Sequence, residues 1–212
     1  MQADKDERSL EGLDELLSGA TSSNSAAWER ARLNLVRRAR DEGLVDVAFE
    51  RHQSPLGTIL LGATEEGLVR VGLPTEDEDA ILEELAERIS PRVLRAPGAA
   101  LTQARKELDE YFEGRRRTFD IDLDWRLTRG FRREVLQVTA EIPYGRTASY
   151  RAVATRAGRP TAVRAAGTAL ATNPLPIVVP CHRVLRTGGD VGSYRGGPEA
   201  KARLLRLEGA TA

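Results

Sequence analysis

The chain has 212 residues, 41% hydrophobic and 30% charged, with 32 Lys+Arg against 32 Asp+Glu. That is ordinary composition for a globular protein with a real core, and no apolar run approaches a membrane span. Its single cysteine excludes an internal disulfide and any multi-thiolate metal site, and a free thiol suits a reducing cytoplasm.

The zero net charge hides a division. Residues 125–212 hold 15 Lys+Arg against 5 Asp+Glu, a net of +10, while residues 1–124 hold 17 against 27, a net of −10. Such asymmetry points to nucleic-acid contact by the basic half; solvated charge on unrelated faces is the competing explanation.

Residues 1–42 read as a helical N-terminal extension. The first six residues are polar and acidic, unlike a secretory signal. Leu10, Leu13, Leu16 and Leu17 share one helical face, with Gly19 as a C-terminal stop and residues 21–25 as a polar linker. Residues 26–42 form a second helical candidate, with Trp28, Ala31 and Leu35 spaced for one face. Packing, regulation and contact with an unknown protein partner are all open roles for this extension.

From Val45 the period changes. Val47-Ala48-Phe49 and Thr58-Ile59-Leu60-Leu61 read as strands joined through the turn Ser54-Pro55-Leu56-Gly57. A second turn, Glu65-Glu66-Gly67, leads into a strand over residues 68–73. Helices are predicted over residues 78–89 and 99–112, and residues 119–123 alternate like an exposed edge strand. A boundary near Asp124 makes residues 43–124 a small α/β scaffold domain with an antiparallel sheet. Its one histidine, His52, cannot build a zinc site alone, so no metal is expected.

Residues 125–212 read as mostly helical, which makes the whole chain α+β. A helix over residues 130–141 is followed by the turn Ile142-Pro143-Tyr144-Gly145-Arg146. Thr147 or Ser149 can cap a short helix over residues 150–157, which Gly158-Arg159-Pro160 stops. Thr161 is the expected cap of a further helix reaching about residue 172. Two short helices joined by a glycine-containing turn have helix-turn-helix geometry. The second carries one arginine, Arg164, among small residues that include Ala165 and Gly167. Small side chains allow close approach to a narrow nucleic-acid groove or tight helix packing, and composition leaves both open.

Ile177-Val178-Val179 has the composition of a buried strand, ended by Pro180. The sole thiol, Cys181, follows beside His182. A lone cysteine is often a small buried hydrophobe, but an adjacent imidazole can also take its proton and make the nucleophilic thiolate. Asn173-Pro174 precedes this segment, a glycine-rich loop (Gly188-Gly189, Gly192, Gly196-Gly197) follows it, and Glu208 closes a final helical stretch.

Pro180-Cys181-His182-Arg183-Val184 in this setting resembles the O6-alkylguanine-DNA alkyltransferases, the methylated-DNA–protein-cysteine S-methyltransferases, over roughly residues 47–209. The resemblance implies direct-reversal DNA repair without a cofactor, by a cytoplasmic monomer bound to the minor groove of double-stranded DNA. A flipped nucleotide would lose its alkyl group from guanine O6, and from thymine O4, irreversibly to Cys181. It further implies that His182 serves as base through a bridging water, with Glu208 orienting it. Tyr150 would rotate the nucleotide and donate to the base, Arg164 would fill the vacated stack, and Ala165 and Gly167 would face the groove. Asn173 would be the hinge, the Cys181 and Val184 carbonyls would read the base, and Gly192, Tyr194 and Arg195 would line the pocket. Arg195, Thr168 and Thr172 depart from the smaller residues common there, which bears on pocket access and groove fit. Three rivals stand beside this reading: a lesion-binding protein without repair activity, which would lack the cysteine; a transcriptional regulator; and a cysteine hydrolase.

Overall fold

The computed structural model describes residues 42–186, 192 and 194–210, together with scattered positions between 27 and 39. The chain divides into an N-terminal unit, residues 1–44, and one compact body, residues 45–212. In the first unit the described positions from Ala27 to Ala39 are helical, as the spacing predicts. Leu35 is 68% exposed, so it does not sit on an inner face. The leucine face at residues 10–17, Gly19, the 21–25 linker and Trp28 lie outside the described residues.

The body opens with a meander of three antiparallel strands, β1 (Val47–Ser54), β2 (Gly57–Thr64) and β3 (Gly67–Gly72). Ser54 closes the first turn, its hydroxyl donating to the Gly57 carbonyl and accepting from the Leu56 amide. Helix α1 (Glu78–Arg88) starts on Asp77, whose carboxylate accepts from the Asp79 and Ala80 amides. A short strand, β4 (Val93–Arg95), then joins β1 in parallel, giving the order β3-β2-β1-β4. The predicted antiparallel sheet is therefore mixed. Three residues, none of them buried, offer no alternation from which β4 could be read. Helix α2 (Ala99–Phe112) buries Leu101, Ala104, Leu108 and Tyr111 at helical spacing against the sheet.

Residues 119–123 are not a strand. Only Leu123 bridges, to Leu68, with Leu68 N–H donating to the Asp122 carbonyl (2.8 Å) and Asp124 N–H to the Leu68 carbonyl (2.9 Å). The ladder stops because Asp124 turns inward, its buried carboxylate accepting from Thr64 Oγ1 and Arg126 Nε at 2.7 Å each. This is also where β3 needs glycine. A Cβ on Gly67 (φ +140°) would lie 2.2 Å from the Asp122 carbonyl oxygen.

The second half is built from helix α3 (Gly130–Ala140), strand β5 (Ala148–Ser149), helices α4 (Tyr150–Arg156) and α5 (Val163–Ala171), a 3-10 turn (Cys181–Arg183), strand β6 (Val184–Leu185) and helix α6 (Gly197–Leu207). Ser149 caps α4 by accepting from the Ala152 amide (3.1 Å). Gly158, at φ +77°, ends it. Thr161 does not cap α5. The cap position is Ala162, whose own N–H is tied to the Arg159 carbonyl (2.9 Å). Ala166, Ala169 and Leu170 bury one face of α5, and α5 packs on α3. One hydrophobic cluster runs through both halves of the body, from Leu61 and Leu108 to Val135, Leu175 and Leu204. No helix of the described residues is long and apolar enough to cross a membrane.

Gly67→Ala is expected to destabilise the body by about 2–4 kcal/mol, since an L side chain there is strained and displaces the Asp122 backbone. Urea unfolding checks this: the midpoint falls while the slope stays that of the parent.

Candidate active site

The segment preceding the thiol is a tight turn. Ile177-Val178-Val179 does not form a strand; a bridge joins Pro176 to Val179, and the Val179 amide donates to the Leu175 carbonyl (2.8 Å). Ile177 sits at φ +75°, a conformation costly for a β-branched residue, and is held by complete burial of its side chain. Asn173 fixes the turn from within. It is fully buried, accepts from the Leu175 amide (3.0 Å), and donates through Nδ2 to the Val179 carbonyl (2.9 Å) and to Cys181 Sγ (3.2 Å). Apolar composition made these residues look like a strand; an asparagine side chain takes the place of a neighbouring strand's hydrogen bonds.

The 3-10 turn then presents Cys181 and His182 side by side, both buried. Helix α6 supplies the groups behind them. Lys201, Leu204, Leu205 and Glu208 lie on its inward face, spaced one turn apart. Gly209, at φ +64°, and the Ala210 amide bonded to the Leu205 carbonyl end the helix and fix Glu208 at its C-cap.

Glu208 is the centre of this arrangement. Its Oε1 accepts from His182 Nε2 (2.9 Å), Arg183 Nη2 (2.9 Å) and the Tyr111 hydroxyl (2.7 Å). Its Oε2 accepts from Arg183 Nε (2.9 Å) and more weakly from the Gly145 amide (3.4 Å). Burial alone would raise this carboxyl, but the bonds to His182 and Arg183 outweigh it and hold the group at about 2. Because Nε2 donates to Glu208, Nδ1 carries the imidazole lone pair, and it has no hydrogen-bond partner among the described residues. Burial lowers His182 despite Glu208, which favours the neutral ring. Burial also raises the Cys181 thiol, opposed by the Asn173 amide and by the charges of Lys201 and Arg195. The resting pair is thus a thiol and a neutral imidazole, with the proton still to move.

Tyr150, at the start of α4, is carried to this site by a parallel two-residue ladder, Ala148 to Val184 and Ser149 to Leu185. Its hydroxyl lies 3.2 Å, and its ring 3.8 Å, from where a Cβ on Gly192 and on Gly167, respectively, would sit. Beside it opens a groove of about 640 Å³ lined by Tyr150, Gly167, Thr168 and three arginines, Arg151, Arg164 and Arg186, with no acidic residue among the described lining residues. Arg164 and Thr168 are exposed along it, and Ala165 is exposed on the same helix.

The structure thus gathers Cys181, His182, Glu208 and Asn173 into one hydrogen-bonded cluster and places Tyr150, Arg164 and Gly167 on an adjoining groove. Tyr194 is buried, edge-on to the His182 ring, and burial keeps its phenol neutral. The Val184 carbonyl accepts from buried Lys201 Nζ (2.7 Å) and the Cys181 carbonyl from the Val184 amide, each keeping a second lone pair. The Arg195 guanidinium is held by Glu76 and by the Asn173 carbonyl. Gly188 and Gly189 lie outside the described residues.

Sequence reasoning missed Tyr111, Arg183 and Lys201. Tyr111 carries no signal beyond its place on the buried face of α2, and the first half of the chain was expected only to scaffold. Arg183 stood within the Cys-His motif, and its full burial with a bidentate carboxylate could not be read from one residue.

Two family models match: 6-O-methylguanine DNA methyltransferase, ribonuclease-like domain, over residues 40–125, and the DNA binding domain of the same protein over residues 130–210. The chain belongs to the 6-O-methylguanine DNA methyltransferase family. It is 37% identical to the inducible methylated-DNA–protein-cysteine methyltransferase of Bacillus subtilis, over 70% of this chain and 82% of that one. Identity to the methylated-DNA–protein-cysteine methyltransferase of Mycobacterium tuberculosis is 38%, over 76% and 92%. Among solved structures it is similar to Mycobacterium tuberculosis OGT in complex with DNA (TM-score 0.65, 32% identity, covering 78% of this chain and 96% of that one).

The Glu208 carboxyl makes stability fall with acid. Its folded value is below the ordinary one of 4.5, so its contribution is complete above about pH 5 and is lost as pH falls toward 2. His182, also lowered, acts in the same direction below its ordinary range. Glu208→Gln removes the carboxyl part of this dependence. The gap in unfolding free energy between parent and variant should therefore narrow from about pH 5 downward, as urea titrations at several pH values will show. Tyr111→Phe is expected to cost roughly 1.5–3 kcal/mol in the same assay, the worth of a buried hydrogen bond to a charged group.

Proposed function

We propose that this chain repairs alkylated DNA by a single irreversible transfer of the alkyl group from guanine O6, and from thymine O4, to Cys181. The observation that carries the reading is a sole buried thiol beside an imidazole whose far nitrogen is bonded to a buried carboxylate, next to an arginine-lined groove. Membership of the family and the likeness to a relative solved with DNA support it.

An alkyl group on O6 lies inside the duplex, so the nucleotide must be flipped out to meet the thiol. Small exposed residues on α5 let that helix approach the minor groove closely, and Arg164 is placed to enter the stack. Tyr150 lies between this helix and the pocket, where it can contact both the rotating nucleotide and the base. The Cys181 and Val184 carbonyls keep lone pairs for the exocyclic amine.

The chemistry is a displacement. The thiol proton passes to His182 Nδ1, directly or through water, and Glu208 stabilises the imidazolium. The thiolate forms a C–S bond to the alkyl carbon as the carbon–O6 bond breaks. The electron pair stays with guanine, which takes one proton from Tyr150, and the thiol proton carried by the imidazolium replaces the one Tyr150 gave up. Among the described residues no group beside the product thioether can cleave it, so each chain acts once. A free thiol that must stay reduced supports a cytoplasmic location, and the protein is read as a monomer. Residues 125–212 carry the DNA-binding and reacting groups, and residues 43–124 hold them in place.

Duplex DNA carrying a labelled O6-methylguanine tests this. Label should move to protein at no more than one methyl per chain, and Cys181→Ala should take none. Tight binding to the lesion without transfer would leave a lesion-binding protein whose cysteine is structural.

A further inference from the structure

Arg195 occupies a crossing point of three segments. Its Nε lies 3.0 Å from Glu76 Oε1, its Nη1 donates to the Asn173 carbonyl (3.1 Å), and its own carbonyl accepts from Thr75 Oγ1 (3.0 Å). Glu76 is itself anchored. Arg70, 1% exposed, donates to Glu76 Oε1 (2.5 Å) and lies 3.3 Å from Glu84, and the Leu73 amide donates to Glu76 Oε2 (2.9 Å). Two further contacts close the seam between the β3 region and the thiol segment. The Val71 amide donates to the Pro174 carbonyl (2.8 Å), and a Cβ on Gly196 would meet Tyr194 at 2.9 Å and Leu73 at 3.0 Å.

What makes this seam functional is its far end. The residue whose carbonyl Arg195 holds is the one whose side-chain amide donates to Cys181 Sγ. We propose that Arg195 is a positioning residue for the reaction, fixing Asn173 against the sulfur and placing a cation where the thiolate forms. Glu76 and Arg70 hold that cation in its place. This inference rests on the reading of Cys181 as alkyl acceptor and adds a control on its nucleophilicity from the opposite half of the chain.

Electrostatics supports the geometry. Burial disfavours the thiolate, and the Arg195 charge is among the few influences opposing it. Other charged or titratable groups among the described residues also surround the sulfur. His182 adjoins it on the 3-10 turn, with Glu208 and Arg183 behind. Lys201 faces it from α6, Tyr194 from the segment before α6, and Arg132 of α3 holds the Thr172 carbonyl next to Asn173. Lys201 already spends a hydrogen bond on Val184. Arg195 is bonded directly to the residue that contacts the sulfur.

The single cysteine makes the test direct. The parent, Arg195→Ala and Arg195→Lys are alkylated with iodoacetamide across a range of pH, and the rate at Cys181 is read by mass. The proposal expects the Arg195→Ala rate near pH 8 to drop about fivefold, with its pH midpoint moved upward. Arg195→Lys, which keeps a charge and a donor, should recover part of the loss. A residue that merely braces the fold would behave oppositely: loosening the seam would expose the sulfur and speed alkylation without moving the midpoint. That result, or an unchanged midpoint in Arg195→Ala, overturns the proposal. Methyl transfer from labelled DNA to the parent protein, measured alongside, keeps the two readings apart. If the parent transfers no methyl, the acceptor reading fails, whatever the alkylation profiles show.

Discussion

The structure depends most on one buried carboxylate. Glu208 lies 5% exposed at the end of α6, and its oxygens are met by a phenol, an imidazole and a bidentate guanidinium. A lone ionised carboxylate at that depth would be prohibitively costly, and removing one partner of such a set typically costs several kcal/mol. The consequence is geometric as well as energetic. The donors come from α2, from the 3-10 turn and from the Gly145 turn, so one charge fixes three distant parts of the chain against the last helix. Arg183 extends the grip by donating to the Ile142 carbonyl and lying over the Tyr144 ring (5.9 Å). His182 therefore has little freedom to rotate, and its Nδ1 is presented in one direction.

Much of this was legible in the sequence, for identifiable reasons. Helices α1, α2, α3 and α4 and the meander of three strands carry clear periodicity and turn chemistry, and their positions fell close to expectation. The Cys-His pair was legible because few residue types perform that chemistry, whereas Glu208 was reached only through the family resemblance. What escaped is what depends on contacts between distant residues. Tyr111 lies 97 positions from Glu208. The two-residue β5–β6 ladder that brings Tyr150 to the thiol is too short to leave a pattern. Ile177-Val178-Val179 misled because burial, not pairing, selected its apolar side chains, and Asn173 supplies the hydrogen bonds that a strand would have required.

The acidic half of the chain is more than a platform. Its charge has nothing to offer DNA, yet Tyr111 and Glu76 from that half reach the groups around the thiol. The shared hydrophobic cluster explains how such placement is maintained, since close-packed interiors transmit small displacements. The division of charge follows from the same organisation. Basic residues line the groove that opens to solvent, while acidic ones pair with arginines along the sheet and α2, as in Arg105 with Glu50 and Arg116 with Glu110.

A thiol raised by burial looks ill-suited to nucleophilic attack, but for a single-use acceptor it is coherent. A standing thiolate would react with any small electrophile, and one such event would consume the molecule. Keeping the proton on sulfur until an alkylated base fills the pocket protects the group that can be spent only once. Burial also keeps the neighbouring imidazole neutral, with its Nε2 bonded to a carboxylate held near 2. Burial thus sets the resting state, and the hydrogen-bonded groups around it determine how readily that state is left.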